Sequence, residues 1–92
     1  MLRPVYTSTF KKDFKRVVKR GKDPAKIQNV VKLLCSRQSL PASLFDHPLK
    51  GDYAGFRDCH VEPDLVLIYR IVDDCLELIC ARLGTHSDLF GS

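Results

Sequence analysis

The hydrophobic period of this chain changes once, near residue 52, and that change fixes the order of its elements. Before it, apolar residues recur at helical spacing. Phe10, Phe14, Val17 and Val18 form one stripe, and Ile27, Val30, Val31 and Leu34 form a second. After it the pattern is that of strands. A chain with two amphipathic helices followed by consecutive strands reads as α+β, one sheet with both helices packed on a face.

The punctuation refines this. Pro4–Thr7 reads as a short strand. Ser8 or Thr9 caps a helix running through Arg20, and Gly21 ends it, since that position favours the left-handed backbone glycine adopts freely. Asp23-Pro24 opens the second helix, Asp as N-cap and Pro in the first turn, and the helix ends near Ser36. Residues 38–52 form a loop. Tyr53 to Val61 is one strand, and Glu62-Pro63-Asp64 is a turn. Leu65 to Val72 is a nearly continuous apolar strand of the buried kind, and Asp73-Asp74 is the next turn. Cys75 to Leu83 is a third strand, stopped by Gly84, and Thr85 to Ser92 is a short tail. Residues 1–92 thus make a single domain: a short N-terminal strand, a two-helix hairpin and a three-stranded antiparallel meander.

Charge is divided between the halves. Residues 1–37 hold 11 Lys/Arg and 2 Asp, and residues 38–92 hold 4 Lys/Arg and 9 Asp/Glu, so the halves carry +9 and −5. Such asymmetry suggests a polyanion partner, an acidic protein partner, or both; its plain alternative is a solvated helix face. No apolar run approaches the ~18–20 residues of a membrane span, and the N-terminus lacks the apolar core of a signal peptide, which favours the cytoplasm. Cys35, Cys59, Cys75 and Cys80 show no C-x-x-C spacing and read as reduced and buried, not as metal ligands.

All three histidines fall in the second half. They stand in Asp46-His47-Pro48-Leu49, in Asp58-Cys59-His60-Val61-Glu62-Pro63-Asp64 and in Gly84-Thr85-His86. Imidazole is the side chain that exchanges protons near neutral pH. Three of them, an Asp and the nearby Arg82 are enough for an acid–base site needing neither metal nor cofactor. Beside a cationic half, they suit an enzyme acting on a phosphate polymer.

These segments carry a family resemblance. Asp-His-Pro-Leu followed by Lys-Gly, then Gly-Phe-Arg-Asp-Cys-His-Val-Glu-Pro-Asp, then Leu-Ile-Tyr, and finally Gly-Thr-His-Ser-Asp-Leu-Phe-Gly resemble the YafQ-like branch of the RelE/ParE toxin superfamily in order and spacing. Four segments in register from Asp46 to Gly91 make the resemblance specific, and it extends over nearly the whole chain. It implies a RelE-like fold and a metal-independent endoribonuclease that cuts messenger RNA, commonly in the ribosomal A site. It also implies a cognate antitoxin. The free toxin is expected as a monomer and the antitoxin complex as a higher-order hetero-oligomer.

Matching positions would make His47, His60, Asp64 and His86 the acid–base set and Arg82 a phosphate binder, with Phe90 part of the site. His47 and His60 are candidates for the base side and His86 for the acid, and these roles are exchangeable at this stage. Asp64 would orient a histidine, serve the turn, or both. Arg82 would bind phosphate or pair with an Asp such as Asp58. Phe90 would stack on a base or pack on the core. Lys50 and Arg57 lie near the histidines in sequence and could meet the RNA strand. Lys11, Lys12 and Lys15 would track RNA backbone or attract an acidic antitoxin. Leu65 stands where a member of the branch carries an aromatic residue and cannot stack on a base, so codon preference is not carried over. Two rivals remain: a non-catalytic ParE-like toxin acting on gyrase, and a nucleic-acid-binding module with structural histidines.

Overall fold

The computed structural model describes residues 1–91. The chain runs β1 (Arg3–Tyr6), α1 (Ser8–Lys19), α2 (Pro24–Cys35), β2 (His47–Pro48), β3 (Arg57–Glu62), β4 (Leu65–Val72), β5 (Glu77–Gly84) and α3 (His86–Phe90). Short 3₁₀ turns occupy Ala42–Leu44, Gly51–Tyr53 and Asp73–Cys75. The five strands form one sheet in the order β1-β5-β4-β3-β2, in which β1 runs parallel to β5 and every other pair is antiparallel. The expected meander is β3-β4-β5, and the N-terminal strand adds to its far side.

Strand β4 lies at the centre, which explains its unbroken apolar run. Leu65, Leu67 and Tyr69 join the main core with Phe10, Val17, Ile27, Val31 and Leu34 of the two helices. Val66 and Ile68 point to the other face, where a smaller cluster forms with Leu89, Leu49, Tyr53, Phe56 and Ala81. Helices α1 and α2 thus cover one face, together with Leu40 and Leu44, while α3 and residues 49–56 only partly cover the other.

Several boundaries differ from expectation, each for a local reason. Thr7 caps α1, not Ser8 or Thr9. Its extended backbone bridges β1 and the helix, its hydroxyl oxygen accepts from Phe10 N at 3.0 Å, and its O–H donates to the Ala81 carbonyl at 2.9 Å. Strand β3 starts at Arg57 and not at Tyr53, because Gly51–Tyr53 is a 3₁₀ turn and Gly55 takes φ +91°. Strand β5 starts at Glu77 because Leu76, at φ +53°, reverses the chain after the Asp73–Cys75 turn. Cys75 on that turn is exposed, a correction to the expected burial, whereas Cys35, Cys59 and Cys80 are buried and all four are free thiols. The expected loop contains the two-residue strand β2, and the expected tail forms α3, with Ser92 outside the described residues.

Candidate active site

The histidines gather on the partly covered face. Alternate residues of a strand share a face, so Asp58 and His60 of β3 point the same way. Register then builds a row across four strands, because His47 pairs with Asp58, Asp58 with Ile68, and Ile68 with Arg82. In the next row His60 pairs with Val66 and Val66 with Gly84. Helix α3, which begins just past Gly84, brings His86 over this second row.

A chain of ring contacts links the elements. His60 lies edge-on to Phe45 at 5.7 Å and to His86 at 6.1 Å, between ring centroids. His86 meets Phe90 at 5.0 Å, and Phe90 meets Tyr53 at 5.8 Å. The Tyr53 hydroxyl stands 3.5 Å from Arg82 Nη1. His60, His86, Phe90 and Arg82 therefore form one connected row of side chains, with His47 beside it on β2.

Hydrogen bonding orients two of the rings. His47 Nδ1 lies 2.7 Å from the Phe45 carbonyl, and His60 Nδ1 lies 3.3 Å from the Pro63 carbonyl. A carbonyl only accepts, so each Nδ1 carries the proton in these contacts and each Nε2 is left to exchange protons.

Two buried aspartates frame the site, and the sequence reading named neither as a site residue. Asp13, on α1 and 2% exposed, is fully engaged. It accepts from Arg82 Nε at 2.8 Å, Arg16 Nη2 at 2.9 Å and the Leu83 N–H at 3.0 Å. Its carboxylate holds the Arg82 guanidinium firmly protonated, and it replaces Asp58 as the partner considered for Arg82. The register shift between Ile68 and Tyr69, at β5 residues Cys80 to Arg82, turns Leu83 into the core, and Asp13 satisfies its amide. Asp58, 1% exposed, is less well satisfied. Its Oδ1 stands 3.1 Å from His47 Nδ1, but that N–H is directed at the Phe45 carbonyl, so the oxygen has no hydrogen bond. Burial raises the Asp58 pKa, while His47, His60 and His86 pull it back down. Both residues left a signal. Asp13 falls on the Phe10–Val17 stripe of an otherwise basic helix, and Asp58 stands two residues before His60, on its face.

Helix α3 is anchored tightly for its length. Thr85 and Asp88 form a capping box: the Thr85 oxygen accepts from Asp88 N at 3.1 Å, and Asp88 Oδ2 accepts from Thr85 N at 3.0 Å. Arg20 Nη1 donates to the same carboxylate at 2.8 Å. A Cβ at Gly84 would stand 2.9 Å from Asp88 Cβ, so glycine is what lets the helix turn back onto β5. The Arg20 guanidinium first, and then the Thr85 N–H, hold Asp88 down to a pKa of about 2. A depressed carboxylate stabilises the fold above its unfolded pKa of roughly 3.9 and stops doing so as pH falls through its folded value. Urea midpoints should therefore fall between about pH 4 and pH 2. Asp88→Asn should lack that component of the slope. An unchanged slope in the variant would mean that this carboxylate does not hold the helix.

Other candidates lie elsewhere. Asp64 is exposed and paired with Lys22 at 2.8 Å, not with a histidine. Arg57 points away from the histidine face and is paired with Asp46 at 3.2 Å, and Asp46 also accepts from the Tyr69 hydroxyl. Lys50 is exposed at the start of the Gly51–Tyr53 turn. Lys11, Lys12 and Lys15 are exposed on α1, in the layer covering the opposite face of the sheet. Lys11 and Lys15 edge a groove lined by Tyr6, Phe10, Phe14, Ile27 and Val31. Leu65 is fully buried in the main core.

Comparison with known proteins follows the same lines. The family model described as "Bacterial toxin of type II toxin-antitoxin system, YafQ" matches residues 2–91. The chain is similar to the mRNA interferase toxin YafQ of Escherichia coli K12, 45% identical over 87 residues that cover 94% of this chain and 92% of the relative. It is similar to the crystal structure of the E. coli DinJ-YafQ complex, with TM-score 0.88, 42% identity and coverage of 99% of this chain and 100% of that one. A metal-bound toxin from Helicobacter pylori is also similar, with TM-score 0.92, 43% identity and coverage of 98% and 100%. Among the described residues of this chain, no three His, Cys, Asp or Glu side chains converge as ligands for a metal ion.

Proposed function

This chain belongs to the YafQ family of bacterial type II toxin–antitoxin toxins, and on that premise we propose how this mRNA-cleaving endoribonuclease works. It attacks with the RNA's own 2′-hydroxyl under histidine acid–base catalysis, without a metal, on messenger RNA held in the ribosomal A site. One observation carries the reading: three histidines and a guanidinium come from β2, β3, β5 and α3 to one face. Neither a gyrase-directed binder nor a nucleic-acid-binding module needs that set.

The 2′-oxygen bonds to phosphorus as the bond to the 5′-oxygen breaks. A base takes the 2′-proton, an acid protonates the leaving 5′-oxygen, and a cation offsets charge building on the phosphoryl oxygens. The products are a 2′,3′-cyclic phosphate and a 5′-hydroxyl. His47 and His60 are the base-side candidates, since both present Nε2. His86 is the acid. Arg82 donates from Nε and Nη2 to Asp13, which leaves its Nη1 end, beside the Tyr53 hydroxyl, to meet the phosphate. Phe90 shapes the wall beside His86. Asp64 acts through the turn: its ion pair with Lys22 fixes the segment whose Pro63 carbonyl receives His60.

The DinJ-YafQ complex supports a cognate antitoxin as partner. The free toxin is a monomer in this reading, and its antitoxin complex a higher-order hetero-oligomer. Action on ribosomes puts the toxin in the cytoplasm, and among the described residues no helix is long and apolar enough to cross a membrane.

The test is cleavage of a messenger RNA, with and without ribosomes in magnesium buffer, by toxin first stripped of metal with EDTA and then freed of the chelator. Activity should persist and leave cyclic phosphate ends. Loss of activity in the stripped toxin, restored by adding zinc back to it, would sink the metal-free mechanism.

The basic helix gives a second prediction. Each neutralised phosphate adds roughly 0.7–0.9 to the log–log salt slope of binding. Changing Lys11, Lys12 and Lys15 together to Gln should flatten that slope by ~2 and weaken ribosome or RNA binding. It should spare the fold, since Gln forms helix about as well as Lys. An unchanged slope would assign this face to the antitoxin or to solvent.

A further inference from the structure

We infer that Asp58 is a positioning residue for the histidine set: its buried carboxylate supplies the negative charge that His47, His60 and His86 face in common. The inference rests on the acid–base reading above and adds to it a group that touches neither the 2′-hydroxyl nor the phosphate.

The contrast with Asp13 carries the argument. Both carboxylates are buried, at 2% and 1% exposed. Asp13 has two guanidinium partners and a backbone N–H, as a structural carboxylate should. Asp58 keeps an oxygen with no hydrogen bond. Burying a charge that is incompletely paired costs stability, so a purely structural role does not account for it. What surrounds Asp58 is instead titratable. His47 faces it across the β2–β3 pairing, with Nδ1 at 3.1 Å from Oδ1. His60 lies two residues along on the same face, and His86 approaches from α3. Asp46 adds a second negative charge nearby but is taken up by Arg57 and the Tyr69 hydroxyl. Arg82 stands in the same row beyond Ile68 and is taken up by Asp13. Asp58 is therefore the carboxylate left to answer a proton arriving on an imidazole.

The consequence belongs to the transition state. When a base histidine takes the 2′-proton it becomes a cation, and a fixed negative charge beside it is worth most at that moment. A carboxylate beside an imidazole favours its charged form, so removing Asp58 should move both limbs of the pH–rate profile towards acid.

The test compares wild type with Asp58→Asn, which keeps shape and removes charge. NMR titration of the three imidazoles should show their midpoints moving to lower pH than in wild type, that of His47 furthest. Cleavage should drop by ~10²-fold in kcat with little change in KM, and its pH profile should move with the midpoints. Unchanged histidine midpoints in a folded variant would overturn the inference, whatever the activity. If the variant fails to fold, the wild-type Asp58 carboxyl carbon is followed through the same titration. It should respond at the histidine midpoints, and a flat response would overturn the inference. If the wild type cuts no RNA but the midpoints still fall in Asp58→Asn, the positioning role stands and the acid–base reading of cleavage fails.

Discussion

Replacing His86 by alanine should cut RNA cleavage by ~10²-fold or more and leave the melting temperature nearly unchanged. The two halves of that result come from different features of one residue. His86 is exposed at the first position of α3, and its ring contacts are edge contacts to His60 and Phe90 at the site. It contributes nothing to the core cluster on its face, where Leu89 is the buried residue of α3. The helix is held by Thr85, Asp88 and Arg20, none of which the substitution touches. Alanine also forms helix better than histidine, so the local backbone loses nothing. The variant's circular dichroism and melt therefore serve as the control for its cleavage assay. A folded His86→Ala protein cutting at the wild-type rate would remove this residue from the mechanism and leave His47 and His60 to supply both acid and base.

How much of this was legible in the sequence depends on the range of the interaction. Helix α2 could be read because its signals are local: Asp23 accepts from Ala25 N at 2.9 Å, as its N-cap position predicts. Strand β4 could be read because burial on both faces leaves an unbroken apolar run. Helix α3 escaped because five residues are too few to display a period, although Thr85 and Asp88 already spelled its capping box. The two-residue β2 escaped for the same reason, and it is what sets His47 opposite Asp58. The parallel pairing of β1 with β5 joins residues more than 70 positions apart and has no local signature. The site followed the same rule. The histidines and Arg82 could be named from segment and family, but which carboxylate braces which cation depends on register. Asp64 was expected near a histidine and meets Lys22; Asp58 was considered for Arg82 and meets His47.

That last exchange leads to the change with the largest expected effect on stability, Asp13→Ala. The carboxylate is buried and serves three donors at once: Arg82, Arg16 and the Leu83 amide. Its loss strands a buried backbone N–H next to the β5 irregularity and leaves Arg82 without its charge partner. Stranding the buried Leu83 donor costs about 1–3 kcal/mol, and losing the charged hydrogen bonds to the partly exposed Arg82 and Arg16 costs about 1.5–3 kcal/mol more. Against the roughly 5–15 kcal/mol of a typical domain this is a large fraction. At about 4–8 °C per kcal/mol for a chain of this size, the melting temperature should fall by about 10 °C or more. Asp13→Asn keeps an acceptor for the Leu83 amide and should cost less. Arg82→Gln leaves Asp13 paired with Arg16 and Leu83, so it should unfold little more easily than wild type yet lose cleavage by ~10²-fold or more, because the phosphate cation is gone. The two side chains of one ion pair should thus separate, one failing in the melt and the other in the assay. Urea denaturation within about 1 kcal/mol of wild type for Asp13→Ala would show that α1 is not what braces Arg82.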